Sequence, residues 1–245
     1  MRLVWPDDEQ RDVDDAELER LYDYPAGRRW LVVNFVSSAD GAVTLDGRSG
    51  GLSNPADRRV YELGGGLADV VLAGAHTAMA EKWRGIRPDE RTAHLRARHG
   101  LSEVPPIAIV TTGRSLPPDA PVITDTLVPT IVITANIAPP ATRDAWAEAG
   151  ATVLVAGEEA VDIAAAVDGL AERGLRRIDC EGGPRLFGSL LAAHLVDELR
   201  LTISPLLVSG TADRIAVGTG LDPAALRLAS VLAEDDTLML RYLLH

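Results

Sequence analysis

The sequence contains one cysteine and one lysine among its 245 residues, and each scarcity excludes a class of chemistry. Cys180 alone can form neither an intramolecular disulfide nor a zinc cluster of several thiolates, and its β-type surroundings favour a buried strand residue. Lys82 is the one candidate for Schiff-base chemistry. The five histidines, His245 among them, form neither HExxH nor another compact ligand spacing. We therefore expect no metal site.

The sequence also has little positive charge and no long apolar run. With 24 Lys and Arg against 36 Asp and Glu, the formal net charge is −12, which argues against binding to nucleic acid or an anionic membrane surface. No apolar stretch approaches the roughly 18 residues of a membrane span, and no basic segment followed by an apolar run opens the chain. We expect a cytoplasmic protein whose partner is a small molecule.

The most informative stretch is residues 176–190, RRIDCEGGPRLFGSL. It predicts a short strand ending at Glu181, then Gly182 and Gly183, then a helix whose first residue is Pro184. Glycine permits positive φ and close approach of a ligand to the backbone. The exposed N–H groups of a helix start attract phosphate, so the stretch predicts a nucleotide site beside an acid. The alternative is that Glu181 only accepts hydrogen bonds from the N–H groups of its own loop.

Alternating β-type and helical runs in the second half predict an α/β fold with a mainly parallel sheet. Residues 1–29 are predicted to form a helical extension packed on a single domain of residues 30–245. A helix from residue 55 is predicted to end near 63, where Gly64–Gly66 interrupt it, and 238–244 to form a final edge strand. Other strands are predicted at 31–36, 70–73, 107–110, 122–124, 130–134, 152–155, 177–180 and 198–204. Other helices are predicted near 78–82, 91–98, 140–149, 161–173 and 184–194.

Three motifs, found in the family's order, resemble the RibD C-terminal family, the reductase domain of bacterial bifunctional riboflavin-biosynthesis enzymes. They are EGGPRLFGSLL…LVDELRLTISPLL from Glu181, SSADG from Ser37 followed by SNPADRR from Ser53, and ADVVLAGAHTAMAE from Ala68. The resemblance implies a three-layer α/β/α, dihydrofolate-reductase-like fold with a mainly parallel central sheet, and a homodimer. It also implies NADPH-dependent reduction of a phosphorylated aminopyrimidine in riboflavin biosynthesis. With one cysteine the chain cannot carry the zinc-deaminase signature, so we expect the reductase half alone.

The cofactor residues that the resemblance implies follow the predicted strands. Thr77 is predicted to cap a helix, with or without a phosphate ligand. The run from Thr111 to Arg114 offers hydroxyls and a guanidinium that suit a 2′-phosphate, although a plain surface turn is the alternative. The full predicted cofactor set is Val36, Ala75, Thr77, Glu81, Thr111, Thr112, Arg114, Gly182, Gly183, Pro184, Arg185, Leu186 and Phe187.

The predicted catalytic residues are Glu181, placed on the N–H groups of the pyrimidine, and Asp40, which either makes a turn or faces the substrate to transfer or orient a proton. Ser49, Arg58, Arg87 and Glu181 form the predicted substrate set. Of the adjacent Arg58 and Arg59, only one can face inward from a helix.

Gly65 stands where the family's helix carries an inward arginine, which weakens the predicted grip on a ribose phosphate. Arg84 and Arg87 are candidates to replace that charge. The departure keeps two alternatives open, a dihydrofolate-reductase-like reductase of a pterin and a non-catalytic NADPH-binding protein.

Overall fold

The computed structural model describes residues 1–6 and 11–244, so the acidic residues 7–9 and His245 lie outside the described part. The strands found there are β1 Arg2–Trp5, β2 Arg11–Asp12, β3 Trp30–Ser38, β4 Val70–Gly74, β5 Ile107–Val110, β6 Ile131–Thr134, β7 Thr152–Val155, β8 Arg177–Cys180, β9 Glu198–Ser204, β10 Leu226–Glu234 and β11 Thr237–Leu244. The helices are α1 Asp15–Tyr22, α2 Pro55–Leu67, α3 Ala75–Ala80, α4 Glu90–Arg98, α5 Pro121–Thr124, α6 Pro140–Glu148, α7 Ile163–Glu172 and α8 Pro184–Ala192.

All of these strands join one sheet in the order β2-β1-β10-β11-β9-β3-β8-β4-β5-β6-β7. The part from β9 to β7 is parallel, and the part from β2 to β11 is antiparallel and joins β9 through β11. Parallel strands bring their carboxyl ends to one edge of the sheet, where ligands bind in open α/β folds. Here that edge is formed centrally by β3, β8 and β4.

The two faces of the sheet are both covered by helices, as the continuous apolar runs predict. Leu31 and Val33 of β3 point into a core cluster with α7 and α8. Val32, between them, points to the opposite cluster with α1, α2 and α4. The predicted three-layer α/β/α fold with a mainly parallel sheet is confirmed.

Two local predictions were wrong because packing overrides intrinsic preference. Residues 122–124, predicted as a strand, belong to α5, which Pro121 starts at its first position and which buries Val122 and Ile123. Helix α2 continues to Leu67 across the three glycines. Gly64 and Gly66 are buried, because they let the helix approach the sheet and α4 more closely than a side chain permits.

The antiparallel half differs most from the prediction. β11 is not an edge strand, because β10 pairs along its whole length on the side away from β9. β10 itself was not predicted. The first 29 residues contain the predicted helix, observed as α1, and also β1 and β2, which extend the sheet beyond β10.

No helix within the described residues combines the length and apolar character that a membrane span needs. In the same part of the chain, no group of three or more His, Cys, Asp or Glu side chains is arranged to hold a metal ion.

Candidate active site

A cavity of about 620 Å³ lies at the carboxyl ends of β3, β4 and β8. It is lined by parts of the chain that are far apart in sequence, as expected where parallel strands end side by side. Eight of the residues predicted from the sequence meet there, namely Val36, Ser49, Arg58, Thr77, Glu81, Glu181, Gly183 and Pro184.

The double glycine after β8 is packed so closely that no side chain fits. Gly182 has φ +85°, and a Cβ on it would lie 2.7 Å from Cζ of Phe35. A Cβ on Gly183 would lie 2.5 Å from Oγ1 of Thr77. The Gly182–Gly183 peptide bond is cis, and the backbone oxygen of Gly182 accepts from the N–H of Gly74 at 2.9 Å. The turn therefore joins the ends of β8 and β4 at the cavity wall.

Helix α8 begins directly after this turn, as predicted. Gly183 is its N-cap and has no side chain to bond the first N–H groups, and Pro184 is the first helical residue. Leu186 and Phe187 are buried in the core, and Phe187 stacks on Phe35 with ring centroids 5.6 Å apart. Arg185 is exposed. Of the predicted helix residues, Pro184 lines the cavity, whereas Arg185, Leu186 and Phe187 do not.

Thr77 lies in the cavity, but it does not cap a helix as predicted. Helix α3 starts earlier, at Ala75, with Gly74 as its N-cap, because the chain turns as soon as β4 ends. Thr77 is thus the third helical residue, with its hydroxyl beside Gly183, and Ala75 is buried behind it.

Glu81 and Ser49 bond each other. The Glu81 carboxylate accepts from the N–H and the hydroxyl of Ser49, at 2.8 and 3.0 Å. This pairing fixes the loop before α2 against the end of α3, so both residues border the cavity and also shape it.

Glu181 projects toward helix α2, where the hydroxyl of Tyr61 donates a hydrogen bond to it. Removal of water around the carboxyl raises the pKa of Glu181 to about 8, and the neighbouring Asp179 carboxylate adds to the rise. The carboxyl therefore differs from an ordinary solvated glutamate in being protonated near neutral pH. Tyr61 was not predicted, although its position four residues before Gly65 places both on one helical face.

A second cavity of about 420 Å³ extends past Gly65 and shares four lining residues with the first, namely Tyr61, Glu62, Trp83 and Glu181. Arg87 lines it, and its guanidinium bonds Asp125. The other predicted replacement, Arg84, donates to the same carboxylate at 2.7 Å.

Arg58 and Arg59 point to different surroundings, and Arg58 is exposed. Arg58 lines the main cavity. Arg59 forms an ion pair with Asp15 of α1.

Asp40 does not reach either cavity. It is exposed, and it accepts hydrogen bonds from the hydroxyl of Ser38 at 2.5 Å and from the N–H groups of Val208 and Ser209 at 3.1 and 2.7 Å. The Ser38 hydrogen bond, followed by these backbone donors, lowers the pKa of Asp40 to about 2. Of its two predicted roles, this geometry matches the turn, since so strong an acid carries no proton to transfer at neutral pH.

The run from Thr111 to Arg114 also lies outside the main cavity. Thr111 is buried and its hydroxyl accepts from the N–H of Gly113 at 3.1 Å, whereas Thr112 and Arg114 are exposed. Arg114 lines a separate shallow depression with Leu116. Since β5 is the neighbour of β4, Arg114 still follows the same edge of the sheet that carries Thr77.

Comparison with known proteins agrees with this geometry. The chain matches the family model of the RibD C-terminal domain over residues 29–240. A 2,5-diamino-6-ribosylamino-4(3H)-pyrimidinone 5′-phosphate reductase of Methanothermobacter thermautotrophicus is 32% identical over 200 residues, which cover 81% of this chain and 88% of the relative.

Two solved structures show the same fold. A pyrimidine reductase-like protein from Corynebacterium diphtheriae superposes with a TM-score of 0.77 at 22% identity, covering 89% of this chain and 92% of the other. A riboflavin biosynthesis reductase of Saccharomyces cerevisiae gives 0.63 at 14% identity, with 89% and 90% covered. The resemblance found in the sequence is confirmed, and this chain belongs to the RibD C-terminal domain family.

Proposed function

We propose that this chain is an NADPH-dependent oxidoreductase of riboflavin biosynthesis, which reduces the ribosyl group of a phosphorylated ribosylaminopyrimidine to an open ribityl chain. Membership of the family and the names of its relatives support the reaction class. The observation that carries the proposal is the single cavity that joins a carboxyl group of raised pKa, Glu181, to the glycine turn and the start of helix α8.

The residues around the glycine turn fit a dinucleotide. NADPH, when bound, supplies a hydride, and the protein supplies orientation and electrostatics. The N–H groups at the start of α8 and the hydroxyl of Thr77 would hold the diphosphate, while the backbone of Val36 would border the nicotinamide. A Cβ at Gly182 or Gly183 has no room, which keeps this wall of the cavity as bare backbone. Arg114 would contact the 2′-phosphate.

The substrate would lie between the dinucleotide and helix α2. Glu181 would contact the N–H groups of the aminopyrimidine, with Tyr61 fixing its orientation. Arg58 lines the same cavity and would pair with the phosphate of the substrate. Arg87 would pair with that phosphate only after giving up its hydrogen bond to Asp125.

Steady-state oxidation of NADPH in the presence of the phosphoribosylaminopyrimidine tests the proposal. Glu181→Gln should lower kcat by about 10²–10⁴-fold and leave the Kd for NADPH unchanged. Glu62→Gln is the matched control, because Glu62 lines the same cavity on the same helix as Tyr61 yet is exposed. Equal loss in both variants, or none in either, would contradict a catalytic role for Glu181.

A pterin is the alternative substrate, and Gly65 is the feature that favours it. A glycine leaves the second cavity open beside Glu181 where the family's arginine would supply charge for a phosphate. Dihydrofolate presented in parallel separates the two, since turnover on it alone would move the function to pterin reduction. NADPH binding without turnover on either would favour a non-catalytic protein.

The proposal also includes a homodimer and a cytoplasmic location. The family resemblance supports the homodimer, and the lack of a long apolar run in the sequence supports the location. Sedimentation of the purified chain should give twice the mass of one chain, and a monomer at micromolar concentration would refute the dimer.

A further inference from the structure

Two carboxyl groups point the same way from strand β8 and its end. Asp179 and Glu181 are two residues apart, so both project toward helix α2. Asp179 is fully buried, and among the described residues neither of its oxygens has a hydrogen-bond partner. An unpartnered buried carboxylate is costly, so its presence beside the site calls for a physical explanation.

Arg200 is the cation that acts on Asp179, and its Nη1 has no hydrogen-bond partner among the described residues. Arg200 donates from Nε to Oε1 of Glu198 at 2.7 Å, and Arg241 bonds both Glu198 oxygens at 2.8 and 3.1 Å. The Arg200 guanidinium thus offsets the Asp179 carboxylate, and Arg177, two residues earlier on the same face of β8, is a further cation on the side of Asp179 away from Glu181. Among the described residues no cation is paired with Glu181, whose side-chain partner is the hydroxyl of Tyr61, so Glu181 is better matched to its surroundings when it carries a proton.

Helix α2 supplies no compensating charge above the pair. A Cβ at Gly64 would lie 3.0 Å from Oδ2 of Asp179 and 3.3 Å from Nη1 of Arg200. A Cβ at Gly65 would lie 3.8 Å from Oε1 of Glu181 and 4.0 Å from Oδ2 of Asp179. Position 65 is thus the one from which a side chain would reach both carboxyl groups, and here it has none.

The remaining titratable groups around the pair do not reverse this balance. Helix α2 presents Asp57, Arg58, Tyr61 and Glu62 to the same cavities as Glu181. The pKa of the Tyr24 hydroxyl is raised by burial and also by the Asp179 carboxylate. Around and after α3, the side chains lining the two cavities are His76, Glu81, Arg84, Arg87 and Asp89, and Asp213 closes the far side. Arg84 and Arg87 are paired with Asp125. Burial raises the pKa of both Asp179 and Glu181, but the Arg200 guanidinium beside Asp179 opposes the rise there, so Asp179 is the member of the pair that keeps its charge.

We propose that Asp179 is a positioning residue that, as the buried anion beside Glu181, keeps Glu181 protonated at neutral pH, so that Glu181 delivers the proton of the reduction. This inference rests on the proposed function. NADPH, when bound, would supply the hydride that forms the new C–H bond at the ribosyl C1′, while the bond from C1′ to the ring oxygen would break. Its electron pair stays on that oxygen, which takes the proton of Glu181 and becomes a hydroxyl. Water then returns a proton to Glu181.

Titration of the side-chain carboxyl groups by ¹³C NMR tests the pair without any turnover. Glu181→Gln identifies the Glu181 resonance by removing it. Glu181 should titrate near pH 8 in the unaltered chain, and at least about one pH unit lower in Asp179→Asn, where the neighbouring anion is gone. Cys180→Ala is the matched control, because Cys180 is buried on the opposite face of the same strand and carries no charge there.

Gly65→Arg gives a second route that does not alter the buried strand. A guanidinium beside both carboxyl groups should also lower the pKa of Glu181, whereas Gly65→Ala should not. The proposal is overturned if Glu181 titrates at an ordinary glutamate value in the unaltered chain. It is equally overturned if neither Asp179→Asn nor Gly65→Arg changes the pH at which Glu181 titrates.

The pH dependence of turnover tests whether the proton on Glu181 is used in catalysis. In the unaltered enzyme kcat/KM should fall as the pH rises through the pKa of Glu181. In Asp179→Asn this fall should begin at lower pH, and above that pKa kcat/KM should drop about tenfold for each further rise of one in pH. A merely structural role for Asp179 would reduce kcat/KM without moving the profile. Absence of any turnover on the pyrimidine would refute the proposed function, while the NMR titration would still decide whether Asp179 holds the proton on Glu181.

Discussion

Replacing Gly182 by alanine tests the glycine turn in the cavity wall. Two costs add in this variant, because Gly182 has φ +85° and its Cβ would lie 2.7 Å from the ring of Phe35. The backbone conformation alone costs about 1–2 kcal/mol for a residue with a Cβ. The overlap adds about 1–3 kcal/mol, since relieving it moves the Phe35 ring away from Phe187.

Gly174→Ala separates the two costs. Gly174 has nearly the same conformation, with φ +83°, but a Cβ there meets no atom within 4 Å. Urea unfolding should therefore show Gly174→Ala less stable by about 1–2 kcal/mol and Gly182→Ala less stable by about 2–5 kcal/mol. Titration calorimetry should show weaker NADPH binding only for Gly182→Ala. Equal stability losses and equal Kd values in the two variants would refute the close packing at this turn.

Three further predictions concern the helix glycines, Asp40 and Arg114. Gly65→Ala should stabilise the chain by about 0.5–1 kcal/mol in urea, because its Cβ meets nothing nearer than 3.8 Å, whereas Gly64→Ala should lose that gain against Asp179. Asp40→Asn should be less stable than the unaltered chain at neutral pH. Because folding lowers the pKa of Asp40 to about 2, the stability difference should vanish as the pH falls from roughly 5 toward 2, with turnover unchanged. Arg114→Ala should raise the KM for NADPH about tenfold or more and leave that for NADH unchanged.

Each of these has a result that contradicts it. Equal stability of Gly64→Ala and Gly65→Ala would mean that α2 does not press on the buried carboxylate. If the stability difference between Asp40→Asn and the unaltered chain stayed constant across that pH range, the Asp40 carboxylate would not be what stabilises the loop contact. If Arg114→Ala lost affinity for NADH and NADPH alike, Arg114 would not contact the 2′-phosphate.

The strands were predictable where β-type residues follow one another without interruption. Residues 107–110 and 152–155 form such continuous runs, and both are strands with those bounds. β10 was missed because Arg227, Ala229, Ser230 and Ala233 interrupt its apolar residues, and its pairing with β11 and β1 cannot be foreseen from its own residues. Residues 122–124 carry β-type side chains, yet Pro121 and the packing of α5 decide the outcome.

The glycine turn at the site was predictable because its chemistry is local, and Glu181 precedes it in sequence. Thr111 and Arg114 were predicted from the end of β5 and from the resemblance, neither of which reveals which strand ends meet in one cavity. That information lies in the strand order, where β8 stands between β3 and β4 and β5 lies outside this group. Asp40 follows β3 itself, but its carboxylate is held by the N–H groups of Val208 and Ser209, a contact that its own sequence does not reveal. Tyr61 lies within the helix that was predicted, but its contact with Glu181 depends on how closely α2 packs on β8, where Gly64 approaches Asp179.

The most direct test of the central claim is NADPH oxidation by the purified chain with the phosphoribosylaminopyrimidine as the only acceptor. We predict turnover that produces the ribityl compound in a one-to-one ratio with NADP⁺. Glu181→Gln should lower its kcat by about 10²–10⁴-fold while NADPH stays bound. NADPH that binds but is not oxidised by this pyrimidine would contradict the claim.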